Sequence, residues 1–211
     1  DLPGHGKDHA DPAMIVLADY VKAVVDVANA HSGKVILVGH SMAGVVIAQA
    51  GEELGIGKVD KLIFLDAFMP QNGESVFSLS EMVQRQLLSS DTNEPTVIGS
   101  MIFSADQKSC VLKPENLKYL FYDDCSEEDI KFAKAKVSRQ AIAPLATPVE
   151  VTDKSYGAIS KYYILCTKSK DLDKTLLTTR VPCKKIFKLP SSHSPFFSMP
   201  EKLVAILDEI Y

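Results

Sequence analysis

The sequence has no tryptophan, only four cysteines and no long apolar run. A membrane-spanning helix needs about 20 consecutive apolar residues, so no membrane segment is predicted. The cysteines are widely spaced and none forms the C-x-x-C pair of zinc and redox motifs. We therefore expect no metal site and no cofactor, and the thiols favour a cytoplasmic location. The four cysteines are Cys110, Cys125, Cys166 and Cys183.

Positive charge is also sparse. The chain has 23 lysines and arginines against 27 acidic residues, a formal net charge of −4, and no dense basic block. Nucleic acids and anionic membranes are bound through basic patches, so neither is predicted as a partner. With 211 residues, 46% hydrophobic and 24% charged, the composition is ordinary for a globular domain. We expect residues 1–211 to form a single domain.

The strongest chemical signal is the stretch KVILVGHSMAG at residues 34–44. A buried strand predicted over 35–38 runs into a turn of small residues around Ser41, and an apolar helix follows. Gly39 and Ala43 stand where a larger side chain would clash as the strand turns into the helix. This layout is typical of a nucleophile elbow, although Ala43 departs by one methyl group from the G-x-S-x-G pattern.

Strands and helices alternate through most of the chain. This order predicts a parallel sheet with right-handed crossovers. The predicted strands cover 35–38, 61–65, 162–166 and 185–189, and the predicted helices outside the insertion cover 12–30, 45–54 and 200–210.

The segment from about 71 to 161 has a different character and is predicted as a helical, loop-rich insertion. Its helices are expected over 81–88, 114–119 and 126–136. An acidic cluster near the last helix could indicate a metal site, but a solvated helix start with Ser126 as N-cap is the better interpretation. The cluster comprises Asp123, Asp124, Glu127, Glu128 and Asp129.

Together these motifs resemble the α/β-hydrolase superfamily, in the branch of small esterases that includes plant methylesterases, hydroxynitrile lyases and their bacterial relatives. The resemblance implies an α/β-hydrolase fold, with a parallel sheet flanked by helices and the insertion forming a small helical cap. In that family the domain begins several strands earlier, so we expect N-terminal strands to be absent from this chain. The motifs are DLPGHGKD, VILVGHSMAG, LIFLDAFMP, APLATPV, YYILCT and SSHSPFFSMPEKL.

His193 is the candidate general base. It follows the last predicted strand and precedes the closing helix, which is where the family places its catalytic histidine. A serine hydroxyl needs an imidazole to take its proton, and the imidazole needs an acid to fix its tautomer. Surface or local hydrogen-bonding roles are expected for His5, His9, His31 and His40.

The identity of the acid is open. Family members carry an aspartate two residues after the threonine of the YYILCT-like strand end, where this chain has Ser169. Asp66, directly after the strand 61–65, is the preferred candidate and preserves the Ser…Asp…His order of the fold. Asp171 and Asp173 in the later loop are alternatives, and a further hypothesis is that no acid functions. Asp66 could instead cap a backbone turn.

The resemblance implies a serine esterase that forms an acyl-enzyme intermediate on a small apolar ester, without a metal or cofactor. One oxyanion-hole donor would be the N–H of Met42, at the start of the elbow helix, and the second would lie upstream of Asp1. Apolar residues near the cap are expected either to line the ester pocket or to form the cap core. They are Phe68, Met69, Phe77, Met82, Leu87 and Phe103.

Two other functions compete with the esterase. The absent aspartate at Ser169 is compatible with a non-catalytic, receptor-like hydrolase homologue that only binds a ligand. A hydroxynitrile lyase is disfavoured, because the lyases of the family place a lysine directly after the histidine and this chain has Ser194. Beyond the ester substrate, the one partner that we expect is a second copy of the chain in a homodimer.

Overall fold

A computed structural model describes residues 1–87 and 94–211, with the backbone alone described at 86 and 87. Seven strands and eight α-helices are found in these residues. The strands are β1 (Val35–His40), β2 (Val59–Leu65), β3 (Met101–Phe103), β4 (Ser109–Leu112), β5 (Gln140–Ala141), β6 (Ser160–Cys166) and β7 (Lys185–Leu189). The helices are α1 (Leu17–Asn29), α2 (Ala43–Lys58), α3 (Val76–Leu87), α4 (Leu117–Phe121), α5 (Glu127–Lys136), α6 (Ala143–Ala146), α7 (Pro195–Ser198) and α8 (Pro200–Ile210).

The predicted parallel sheet is confirmed. Its four strands lie in the order β1-β2-β6-β7, and every neighbouring pair is parallel. Their sequences are rich in aliphatic and aromatic residues because helices cover both faces of the sheet. All four carboxyl ends therefore reach the same edge, and the loops that leave this edge carry the candidate site residues.

Alternate residues of β1, β2 and β6 pack into two cores, on the two faces of the sheet. Leu62 and Phe64 of β2 belong to the larger core, which includes residues of α1 and α2. Ile63 of the same strand faces the smaller core with Ile164 and with Leu203 of α8. The period of two along β2 is what a strand buried on both faces requires.

Some element boundaries differ from the sequence-based prediction. Helix α1 begins at Leu17, five residues later than predicted, because residues 12–14 form a turn and Val16 is the extended N-cap. The helix predicted over 45–54 was expected to end before Gly55, and Gly55 has a left-handed φ of 65° that kinks α2 there. Helical turns resume after this kink, and the helix ends at Lys58. Strand β2 then starts at once.

The segment predicted as a helical cap, residues 71–161, contains α3, α4 and α5, close to where helices were predicted, although the predicted end of the first helix at Leu88 lies outside the described residues. It also contains an antiparallel sheet, β3-β4-β5, that was not predicted. These strands have two to four residues, too few for an alternating pattern to be recognised. Ser126 caps α5 as predicted, since its hydroxyl accepts the Asp129 N–H at 3.1 Å.

Within residues 1–87 and 94–211, none of the helices combines the length and the apolar character needed to cross a membrane.

Candidate active site

The turn between β1 and α2 presents Ser41 at the carboxyl edge of the sheet. Ser41 has a φ of 56°, in the left-handed region that few non-glycine residues occupy. A Cβ atom on Gly39 would lie 2.8 Å from the carbonyl oxygen of Ala43, and one on Gly44 would lie 2.0 Å from that of Phe68. Both positions therefore require glycine. Gly44 was not singled out in the sequence, because its close neighbour lies on a different loop.

The loop after β2 is joined to this turn. The Phe68 N–H donates to the Ser41 carbonyl oxygen at 3.0 Å, and the Ser41 N–H donates to the Leu65 carbonyl oxygen at 3.3 Å. Asp66 lies between these contacts with a φ of 42°, a conformation that aspartate tolerates better than most residues. Its own N–H donates to the Ile164 carbonyl oxygen at 2.8 Å.

The structure brings Asp66 and His193 together. His193 follows β7 and is almost completely buried, as is Asp66. The Nδ1 atom of His193 lies 2.8 Å from Oδ2 of Asp66, so a protonated Nδ1 donates to the carboxylate. The other oxygen, Oδ1, accepts the Cys166 N–H at 3.2 Å. Asp66 thus contacts the ring of His193, and its role as the acid stays a prediction.

The two alternative acids lie in different surroundings. Oδ1 of Asp171 is 3.3 Å from His193 Nδ1, so this carboxylate belongs to the same cluster. Asp173 is exposed, and its carboxylate accepts the Thr175 N–H at 2.9 Å, so it does not reach the ring. The Ser169 hydroxyl lies 2.7 Å from Asp66 Oδ2 and 2.8 Å from Asp171 Oδ1.

A buried lysine that was not predicted joins the two carboxylates. The Lys174 ammonium donates to Asp171 at 2.6 and 2.7 Å and to Asp66 Oδ2 at 3.2 Å. Burial would raise the pKa of Asp66, but the Lys174 charge and the His193 hydrogen bond outweigh it and hold this pKa well below its usual range. Burial would likewise lower the pKa of Lys174, and the two carboxylates raise it instead.

Metal binding at this cluster is not favoured. One ligand atom from each of Asp66, Asp171 and His193 lies within 4.8 Å of the others. The Lys174 ammonium, however, already bonds both carboxylates. Because the cluster contains its own cation, we assign it no metal.

His40, at the end of β1, also contacts His193. Its ring centroid lies 4.4 Å from that of His193, and its Nε2 lies 2.8 Å from the His193 carbonyl oxygen. Burial, together with the His193 ring, lowers the pKa of His40 to about 3. His40 is therefore neutral at physiological pH and donates its Nε2 proton to this carbonyl.

The segment between α4 and α5 also bonds to the loop that carries His193. Asp124, placed by sequence analysis in a solvated helix start, accepts the Ser192 N–H at 2.8 Å and the hydroxyl proton of the same serine. The Phe121 ring lies 5.3 Å from the His193 ring. The residues next to His193 are thus bonded to the segment between α4 and α5.

A cavity of about 340 Å³ opens beside Ser41. Most of its wall is apolar and includes Met42, Phe68 and Phe77. Among the hydrogen bonds of the described residues, none uses the Met42 N–H and none joins the Ser41 hydroxyl to the His193 ring.

Of the other apolar residues expected near the pocket, those with described side chains lie outside the lining of this cavity. Met69 is fully buried in the larger core, Met82 packs against that core, and Phe103 is 47% exposed on β3. Leu87 has a described backbone, but its side chain lies outside the described part of the chain.

A protein-family model described as "Alpha/beta hydrolase family" matches residues 1–206. The chain belongs to the α/β-hydrolase family. Among curated proteins, this α/β-hydrolase is similar to "Putative methylesterase 11, chloroplastic" of Arabidopsis thaliana, with 30% identity over 228 residues, covering 100% of the chain and 55% of that protein. It is also 30% identical over 189 residues to "Methyl jasmonate esterase 1" of Vitis vinifera, covering 84% of the chain and 70% of that protein.

The chain spans about half the length of the first curated relatives that it matches, 55% of one and 48% of another. Solved structures show the same fold. Polyneuridine aldehyde esterase superposes with a TM-score of 0.83 at 21% identity, over 100% of this chain and 86% of that one. Tomato methylketone synthase I superposes with a TM-score of 0.80 at 22% identity, over 100% and 84%. The α/β-hydrolase fold predicted from the sequence is confirmed.

Proposed function

We propose that this α/β-hydrolase is a serine hydrolase of carboxylic esters, with Ser41 as nucleophile, His193 as general base and Asp66 as acid. The observation that carries the proposal is the 2.8 Å contact between His193 Nδ1 and Asp66 Oδ2, at the sheet edge where the elbow presents Ser41. An imidazole whose Nδ1 proton is held by a carboxylate leaves Nε2 free to accept a proton from a serine hydroxyl.

The reaction follows from these positions. His193 Nε2 takes the Ser41 hydroxyl proton as Oγ attacks the ester carbonyl carbon, and the carbonyl oxygen becomes an oxyanion. The Met42 N–H, at the start of α2, is the proposed donor to this oxyanion. The alcohol leaves with the proton from His193, so that the acyl group stays on Ser41. Water, deprotonated by the same histidine, then releases the carboxylic acid and restores the hydroxyl.

Asp66 is preferred over the other aspartates because it makes the shortest contact with the ring. Its low pKa keeps it ionised through neutral and mildly acidic pH, so it can stabilise the imidazolium that forms during attack. Asp171 is 3.3 Å from Nδ1 and is itself bonded twice by Lys174. The exposed Asp173 does not take part.

We propose a methyl or other short-chain ester of an apolar carboxylic acid as the substrate. The cavity of about 340 Å³ lies within the usual range of small-molecule sites, and its Met42, Phe68 and Phe77 walls suit an apolar acyl group. The names "Methyl jasmonate esterase 1" and "Putative methylesterase 11, chloroplastic" belong to relatives that act, or are proposed to act, on methyl esters. The cytoplasmic location and the homodimer stay predictions.

The competing functions lose support. The receptor-like hypothesis depended on the missing acid at Ser169, and Asp66 offers a carboxylate to His193 from another strand end. The hydroxynitrile lyase lacks its lysine, because Ser194 follows the histidine.

Covalent labelling tests the nucleophile directly. A fluorophosphonate probe should label the protein at Ser41, and Ser41→Ala should abolish both labelling and hydrolysis of a short p-nitrophenyl ester. Removal of a triad serine or histidine usually lowers kcat by several orders of magnitude, so His193→Ala should give a similar loss. Ser32→Ala, at an exposed serine before β1, is the matched control and should leave turnover unchanged. Wild-type turnover in Ser41→Ala would contradict the proposal.

A further inference from the structure

Lys174, which has no role in the proposed reaction, lies next to the proposed acid Asp66. Lys174 is 1% exposed, among the most buried side chains of the chain. An ammonium group loses its hydration on burial and is retained in a protein interior only when it is fully paired. All three bonds of Lys174 go to the carboxylates of Asp66 and Asp171.

We propose that Lys174 and Asp171 form a positioning pair, which holds the Asp66 carboxylate against His193 and sets the net charge that the histidine ring meets. The proposal rests on the proposed function in taking His193 as the base. It adds two residues that make no hydrogen bond to Ser41 and that are in contact with Asp66, with Ser169 or with Nδ1 of the ring.

Geometry supports the positioning role. Oδ2 of Asp66 is the oxygen nearest to the ring, and the same oxygen receives the Lys174 ammonium at 3.2 Å. The Ser169 hydroxyl lies between the two carboxylates, 2.7 Å from Asp66 Oδ2 and 2.8 Å from Asp171 Oδ1, and can donate its proton to either. Asp66 is therefore held by the ring, the ammonium and the hydroxyl, and its other oxygen by the Cys166 N–H. Rotation of the carboxylate would break several of these contacts together.

Charge supports the second role. Asp66 and Asp171 both lie within 3.3 Å of His193 Nδ1, and two uncompensated carboxylates there would strongly favour the imidazolium, which cannot act as a base. The Lys174 charge cancels one of them. The ring then meets a net charge of −1, which stabilises the imidazolium that forms during attack.

The remaining groups around the cluster are neutral or remote from the ring. His40, at the end of β1, is neutral because its pKa is about 3. On β6, burial and then Asp66 raise the pKa of the Cys166 thiol to about 12, and the same two causes raise that of Tyr163. From the cap, Asp124 bonds Ser192 and not the ring. The charge at Nδ1 is thus set by Asp66, Asp171 and Lys174.

Three near-isosteric variants change this charge in known directions. Lys174→Met leaves two carboxylates, a net −2. Asp171→Asn leaves one carboxylate and the ammonium, a net charge of zero. The double variant Asp171→Asn/Lys174→Met leaves Asp66 alone and restores −1. The pH titration of the His193 ring, followed by NMR with histidine-labelled protein and assigned by loss of the signal in His193→Gln, reports this charge without substrate.

We expect the midpoint of the ring titration to move to higher pH in Lys174→Met and to lower pH in Asp171→Asn, each by about 1 pH unit or more, since a charge within about 4–6 Å commonly has this effect. The double variant should return close to wild type. The acidic limb of the kcat/KM profile should move in the same order. A structural role alone would not produce opposite shifts that cancel in the double variant.

Shifts in the same direction for the two single variants, or a double variant that stays displaced, would overturn the proposal. If Lys174→Met does not fold, Asp171→Asn and the double variant still decide, because the second mutation must reverse the downward shift of the first. The NMR measurement also separates the two proposals. If the titration midpoints shift in opposite directions and cancel in the double variant, but the protein hydrolyses no ester, the positioning pair is supported and the esterase proposal is rejected. If the protein hydrolyses esters but the midpoints do not follow this order, the esterase is supported and the positioning pair is rejected.

Discussion

At the scale of single residues, backbone conformation decides which aspartate meets the histidine. Asp66 has a left-handed φ of 42° directly after β2, and its N–H is fixed by the Ile164 carbonyl oxygen. This turn, between a buried strand and the Ala67-Phe68 segment, leaves the carboxylate 2.8 Å from His193. Asp173 is exposed in the loop after β6, and its carboxylate accepts the backbone N–H of Thr175.

Replacement of this carboxylate should therefore impair turnover. Asp66→Asn should lower kcat by about a hundredfold or more, because an amide neither stabilises the imidazolium nor holds the Nδ1 tautomer. Asp173→Asn, an identical change at an exposed position two residues from Asp171, is the control and should stay close to wild type. Steady-state kinetics on a p-nitrophenyl ester measure both. The opposite ranking of the two variants would move the acid to the later loop.

The sequence could nominate Ser41 and Asp66 because each directly follows a strand, and His193 because it lies in the loop between the last strand and the closing helix. The carboxyl ends of parallel strands converge at one edge of the sheet. It could not nominate Lys174, because the function of this residue depends on Asp66, 108 positions away. The contact of Asp124 with the histidine loop could not be predicted either, because its partner Ser192 is 68 positions distant. Contacts between loops of different strands leave no local pattern.

At the scale of elements, the site depends on how closely α2 approaches the loop after β2. The start of α2 lies against the Phe68 carbonyl, and the Phe68 N–H bonds back to Ser41. The proposed nucleophile and the loop of the proposed acid are thereby fixed to one another. The strands of the parallel sheet were predictable as apolar runs separated by loops of small residues, and α2 as the apolar helix after the serine turn. The strands β3, β4 and β5 were too short to be recognised.

A methyl group at Gly44, where α2 meets the loop after β2, should destabilise the protein. Gly44→Ala would place Cβ 2.0 Å from the Phe68 carbonyl oxygen, so α2 and the loop must separate. We expect destabilisation of about 1–3 kcal/mol, typical of overpacking, and a marked loss of turnover. Gly57→Ala is the matched control, because its Cβ would meet nothing within 4 Å and alanine favours helix. Chemical denaturation gives both free energies of unfolding, and equal stabilities would refute the proposed close packing.

At the scale of the whole molecule, the β1 edge of the parallel sheet exposes apolar side chains. In the described residues, β1 pairs with β2 on one side and with no strand on the other. Val38 of β1 is 48% exposed, and an apolar groove with Leu2, Val24 and Val35 in its wall follows this strand. An uncovered strand with apolar side chains is a template for pairing with another chain.

The 211-residue chain should therefore self-associate through β1. A lysine on an edge strand opposes such pairing through its charge and its length, so Val38→Lys should lower the mass-average size measured by light scattering after size-exclusion chromatography. Val204→Lys is the matched control, since this valine is 53% exposed on α8, away from the edge. It adds the same charge to the molecule, so any general effect of net charge would appear in both variants. A chain that is monomeric at tens of micromolar, or an equal change in the two variants, would show that the β1 edge is not the site of association.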